Sequence, residues 1–289
     1  MQQALVRKER WPGGLNVRVV PLVRPGQEVV PDQPVLRVLS RNAGERQAVR
    51  YALSLSTSKD KEDTEILPAG LHGRVVGITA RGGVLIESPS VVVRGVIGSG
   101  NQVAGVLALW QVGSTWEEPR AIPPGAILVV PGQVTLAMLH QALSSGVVGI
   151  VAGSIALRDF EGFLRSDLIQ LLTCVNAEQA QTCLPSLTIM LTEGIGNFSM
   201  PAYVVRLLSH YQGSIALLSG ITSVYHNIWP DLLISLPAAT ASEKRPPVVA
   251  ADAEPAPGVL VRVLGGEHAG KTGRVEYLFV YPQSFASGI

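Results

Sequence analysis

The sequence predicts an α/β protein: a central, mostly parallel sheet with helices, flanked by an N-terminal β-rich domain and a small C-terminal β-barrel. Three observations predict it. Residues 126–220 alternate short apolar strands with amphipathic stretches, the signature of strand–helix–strand units. Residues 15–39 and 66–87 carry short valine-rich runs separated by turn residues. An alanine- and proline-rich stretch then leads to a last segment of alternating valines and clustered glycines. The expected organisation is a β-rich domain over residues 1–120, an α/β domain over 121–238, a flexible linker over 239–256 and a terminal module over 257–289.

Composition narrows the class. The 289 residues suffice for two or three domains; 47% are hydrophobic and 16% charged. A net charge of +1 gives the whole molecule no polyanion signal, although the first fifty residues are basic, from Arg7, Lys8 and Arg10 to Arg46 and Arg50. Cys174 and Cys183 are too few for a disulfide scaffold or a metal site, and the reduced form is expected. The polar opening over residues 1–11 does not read as a signal peptide. The apolar run 146–157 is too short to span a bilayer and runs into Arg158 and Asp159. A soluble cytoplasmic protein with no membrane span is the expectation.

Taken in order, residues 15–39 form short strands joined by Pro25-Gly26 and Pro31-Asp32, where proline presets one dihedral and glycine accepts another. A polar gap covers residues 40–61, with 51–55 (YALSL) as one more strand candidate. The pattern resumes at residues 66–78 and 84–87. This region resembles the barrel-sandwich hybrid fold of biotinyl/lipoyl-like domains. No carrier lysine in a Met-Lys-Met or Asp-Lys-Ala hairpin is present, and Lys59 and Lys61 lie in a polar run, so a docking or structural module without cofactor is expected. Residues 91–93 form a strand. Gly98-Ser99-Gly100 is either an anion-binding nest or a plain turn. Residues 103–110 read as strand or buried helix.

In the α/β domain, residues 126–130 (AILVV) form a strand and Thr135 caps the helix that follows. Leu136, Leu139 and Leu143 share its apolar face, and Gly146 ends it. Residues 147–152 form a strand buried on both faces, 157–172 one helix, and 187–191 a strand broken by Thr192-Glu193-Gly194. A helix over 201–211 and strands over 214–218 and 232–236 complete it. Ligands of such sheets bind beyond the carboxyl ends of the strands. The ligand-binding candidates are therefore Gly153, Ser154, Gly194, Gly196, Asn197 and Gly220, with Asp159 and Thr192 beside them. Ser154, Glu193 and Ser219 are the candidates for catalysis, although no nucleophile elbow, metal spacing or neighbouring histidine accompanies them. Each also reads as an ordinary turn or cap residue.

The last segment, residues 257–278 (PGVLVRVLGGEHAGKTGRVEYL), alternates Val261 and Val263 inward with Arg262 outward, turns at Gly265-Gly266, and returns past Gly270 and Gly273 to Val275. It resembles a KOW motif, the core of SH3-like barrels in NusG-type elongation factors and several ribosomal proteins. It departs in placing His268 where a bulky apolar residue often stands. Strands over 259–263 and 274–278 are expected to pair, with Tyr277 or Leu278, and Phe279 as a further candidate, completing the core. The resemblance implies RNA, or a ribosomal or transcription protein, as partner. Arg262, Lys271 and Arg274 are then the nucleic-acid-binding candidates. A non-catalytic binding or adaptor protein is the leading expectation. An enzyme with a small-molecule or phosphate site at the carboxyl edge is the alternative, and structural assembly comes third.

Overall fold

The computed structural model describes residues 3–11, 18–39, 64–110, 123–174, 184–236, 256–262 and 271–279. The 51–55 strand, Lys59, Lys61, Cys183 and most of the 239–256 linker lie outside them. The chain divides into two compact units, Met1–Val248 and Val249–Ile289.

The first unit is built on one eleven-stranded mixed sheet and a smaller three-stranded antiparallel one. Its strands are β1 (Gln3–Arg10), β2 (Arg18–Pro21), β3 (Glu28–Val29), β4 (Pro34–Leu39), β5 (Thr64–Pro68), β6 (Gly73–Ile78), β7 (Val84–Arg94), β8 (Ile97–Ser99) and β9 (Gln102–Leu109). They continue with β10 (Ala126–Val134), β11 (Gly149–Ile155), β12 (Thr188–Ile195), β13 (Ile215–Ser219) and β14 (Asp231–Ser235). The helices are α1 (Leu136–Ser144), α2 (Leu157–Leu164), α3 (Leu168–Thr173) and α4 (Ala202–His210). The large sheet has the order β3-β6-β7-β14-β13-β9-β10-β11-β12-β8, with β1 on β7.

Only β9, β10, β11 and β12 run parallel; β8, β13, β14, β7 and β1 join antiparallel. The expectation of a mostly parallel sheet is thus corrected to a mixed one. An apolar run such as 215–219 carries no mark of its direction, and the short return from α4 lets β13 enter the other way. The two expected strands at 147–152 and 187–191 do lie side by side and parallel, as β11 and β12.

The parallel strands are apolar along most of their length because both faces are covered. Alternation sorts them. Leu128, Val130, Ile150, Ala152, Ile189 and Leu191 face α1, α2 and α3. Ile127, Val129, Val151 and Met190 face Val204 and Leu208 of α4. Thr135 caps α1 by accepting from the Met138 amide, and Gly146 turns the chain at φ +74. The single helix expected over 157–172 is two. Arg165 takes a left-handed φ of 54, and Asp167 restarts the chain by accepting from the Ile169 and Gln170 amides at 2.8 and 3.1 Å.

The N-terminal strands pack as two facing sheets over Val29, Val35, Leu36, Val38, Leu67, Val75, Val84 and Ile86. The large sheet draws strands from both sides of the boundary expected at residue 120. The C-terminal half of β7 pairs with β14, β8 forms the far edge against β12, and β9 sits between β10 and β13. At this centre β1, β7, β14, β13 and β9 curl into a half-barrel around Leu71, Ala104, Leu217 and Leu233, with Val6 and Val92 against them. Among the described residues no helix is long and apolar enough to cross a membrane.

In the second unit, β15 (Leu260–Arg262) pairs antiparallel with β16 (Thr272–Arg274), Leu260 opposite Arg274. The return strand therefore starts two residues earlier than expected, although Val259 and Val275 still bond at 2.9 Å. The described residues form this ladder and no closed SH3-like barrel. Val261, Tyr277, Leu278 and Phe279, expected in a core, are exposed.

Candidate functional site

The carboxyl ends of β10, β11 and β12 share one edge. Both ladders slip there: Val130 faces Ala152 and Gln133 faces Ser154, while Leu191 faces Ala152 and Gly194 faces Ser154. Gly153 therefore stands opposite an extra residue on each side. Paired bulges bend a sheet edge and re-aim its side chains. β12 does not break at Thr192-Glu193-Gly194 as expected; it bulges, with Gly194 at φ +86.

What occupies this edge is the chain itself. A Cβ on Gly153 would stand 2.8 Å from the Met200 amide nitrogen, 2.8 Å from the Phe198 carbonyl oxygen and 2.9 Å from that of Pro131. Residues 196–200 thus cross it at main-chain distance. Ser154 is fully buried; its Oγ donates to the Phe198 carbonyl and accepts from the Phe198 amide, both at 2.8 Å. Gln133 donates to the Gly196 carbonyl at 2.9 Å, and the Met200 amide to Pro131 at 2.7 Å. Thr192 Oγ1 donates to Ala152 at 3.3 Å. Asp159 accepts from the Leu136 amide at 3.2 Å and so serves the first turn of α1. Glu193 is half-buried and Asn197 exposed.

Ser219 and Gly220 are elsewhere. β13 is antiparallel to β9, and Ser219 pairs with Gln102, the first residue of β9. They therefore lie at the amino end of the parallel strands, opposite Ser154 and Glu193, and the three catalytic candidates line no common crevice. There Gly220 presses on the Ser99 carbonyl, and Thr222 Oγ1 accepts from the Gly98 amide at 2.8 Å. The glycine turn at 98–100 is thus a packing contact between β8 and the end of β13. His140, His210 and His226 each meet a neighbouring aromatic ring edge-on. Among the described residues no group of three or more His, Cys, Asp or Glu side chains could hold a metal ion.

The mouth of the half-barrel holds a polar cluster that no motif announced. Arg10 is 1% exposed. Its Nε and Nη2 donate to the Pro68 carbonyl at 3.2 and 3.1 Å, and Nη1 to Gln102 Oε1 at 3.0 Å. Gln102 donates in turn to the Glu9 carbonyl at 3.0 Å. Lys8 reaches both oxygens of Asp231 at 2.6 and 2.7 Å. Lys8 lies opposite Ile86 and Asp231 opposite Arg94, rows far apart along β7, so the pair joins β1 to β14 across different rows of the sheet. Burial pushes the Arg10 pKa down to about 10, which leaves it protonated at neutral pH. Glu9 is raised by burial, but hydrogen bonds from Arg81 and Thr79 and the charge of Arg81 outweigh that, so its carboxyl lies below its ordinary value. Arg81 also stacks on Trp11, 4.7 Å from the ring centroid.

On the C-terminal ladder, Lys271 and Arg274 are exposed. Arg274 Nη1 donates to the Gly258 carbonyl at 2.9 Å, which fixes its stem along the hairpin. The backbone of Arg262 lies opposite Thr272. The glycine turn expected at 265–270 lies outside the described residues.

No protein-family model, no curated protein and no solved structure matches this chain.

Proposed function

We propose that this is a non-catalytic, cytoplasmic binding protein whose C-terminal unit contacts RNA through its phosphates. The observation that carries the reading is the exposure of Lys271 and Arg274 on one short ladder beside Gly273, where no Cβ obstructs a backbone. Long cationic side chains in that setting meet phosphates without reading bases. The absence of catalysis is supported by the carboxyl edge, where Ser154 and Asp159 bond to the chain's own backbone. Full-length protein titrated with RNA at low salt tests it. Replacing Arg262, Lys271 and Arg274 by alanine should weaken binding roughly tenfold or more, and wild-type affinity should fall as salt rises. No binding to single-stranded or structured RNA would leave a protein partner as the better reading.

The paired bulges beside Glu193 favour a second reading, an enzyme or binder with a small anionic ligand at that edge. Such a ligand would have to displace residues 196–200, so its binding would speed amide exchange at Phe198.

A further inference from the structure

We propose that the C-terminal unit selects single-stranded over duplex nucleic acid by stacking bases on Tyr277 and Phe279, an inference that rests on the RNA-binding reading above. Alternation in the sequence places these residues in a core. The structure places them in water: Tyr277 is 67% exposed and Phe279 56%. Their rings meet edge to face, centroids 5.3 Å apart at 79°. Two large rings within three residues, each with more than half of its surface exposed, are a binding feature rather than a packing one.

Charge complementarity identifies the occupant. Lys271 and Arg274 are exposed on the same short segment, six and three residues ahead of Tyr277. Cations that attract a phosphate backbone, followed by exposed rings, match what an unpaired strand offers: a charged edge and free base faces. A duplex keeps its base faces within its own stack and offers the rings nothing. Glu276, exposed between Arg274 and Tyr277, repels phosphate. Stacking of this kind tolerates any base, so selection is for strandedness, not sequence.

The test uses full-length protein, a labelled oligouridine and a blunt RNA duplex of equal length, read by fluorescence anisotropy at low salt. Oligouridine should bind more tightly than the duplex. Tyr277→Ala and Phe279→Ala should each weaken oligouridine binding roughly fivefold or more, with the salt dependence unchanged. Tyr277→Trp should keep the affinity, and its added emission should be quenched on binding. Because both rings are exposed, the alanine variants should unfold at the wild-type temperature, which separates lost stacking from lost structure. Duplex binding equal to oligouridine binding, or alanine variants with wild-type affinity, would overturn the stacking proposal and leave phosphate contact standing. Wild-type protein that binds neither RNA would overturn both.

Discussion

Arg10 shows how one side chain closes the half-barrel. Its guanidinium ties β1 to the Pro68 carbonyl and to Gln102 on β9, with no carboxylate among the described residues to neutralise it. Removing it strands two acceptors at roughly 1–3 kcal/mol each, so Arg10→Ala should lower stability by about 2–6 kcal/mol in urea unfolding. Arg10→Lys should not rescue it, because an ammonium cannot reach both acceptors with the planar fork. A loss within about 0.5 kcal/mol, the range of ordinary surface substitutions, would mean that the mouth is wetter than the structure implies. Glu9 gives the pH counterpart. Its native pKa lies below the unfolded value of about 4.3, so its contribution is complete above that value and is lost as pH falls through the native pKa. Glu9→Gln should therefore flatten the acid limb of the stability curve, while wild type and variant converge at low pH. Parallel curves from neutrality to pH ~3 would refute the linkage.

At the scale of elements, the strap over 196–200 fastens the carboxyl edge to β11 through one hydroxyl. Ser154→Ala removes both bonds to Phe198 at once, and two neutral hydrogen bonds are worth about 1–3 kcal/mol together. The expected result is a loss in that range, with faster amide exchange at Phe198 and unchanged exchange in β11. Equal exchange at Phe198 in both proteins would show that the strap is held by packing alone. The local half of this region was legible in the sequence. Thr135, Leu139 and Gly146 do what cap, apolar face and helix end require, because those signals act within a few residues. The strap was not legible: Ser154 and Phe198 are 44 residues apart, and nothing near either names the other. The split at Arg165 was missed because an arginine in a left-handed conformation has no sequence mark, whereas Asp167, a good cap, was readable.

Whole-molecule architecture is where local reading carried least, since strand direction and sheet membership are decided by distant partners. Ser219 was placed with Ser154 because both end apolar runs; antiparallel β13 sends it to the other end. The boundary at residue 120 followed a proline-rich composition, yet β7, β8 and β9 precede it and belong to the same sheet as β10 to β14. This has a consequence for folding. A chain cut there would strip β10 and β13 of β9, and β14 of β7, leaving three ladder edges unpaired across the middle of the sheet. It would also open the two cores to which Val91, Val103, Leu107, Ala104 and Val92 contribute. Neither fragment 1–120 nor fragment 121–248 should then fold alone, whereas 1–248 should unfold in a single cooperative calorimetric transition. Mixing the two fragments should restore a dispersed amide spectrum, because the missing strands would supply their partners again. Two resolved transitions in 1–248, or a dispersed spectrum from 121–248 by itself, would show that the parallel strands fold without β7 and β9. The composition-based boundary would then be physical after all.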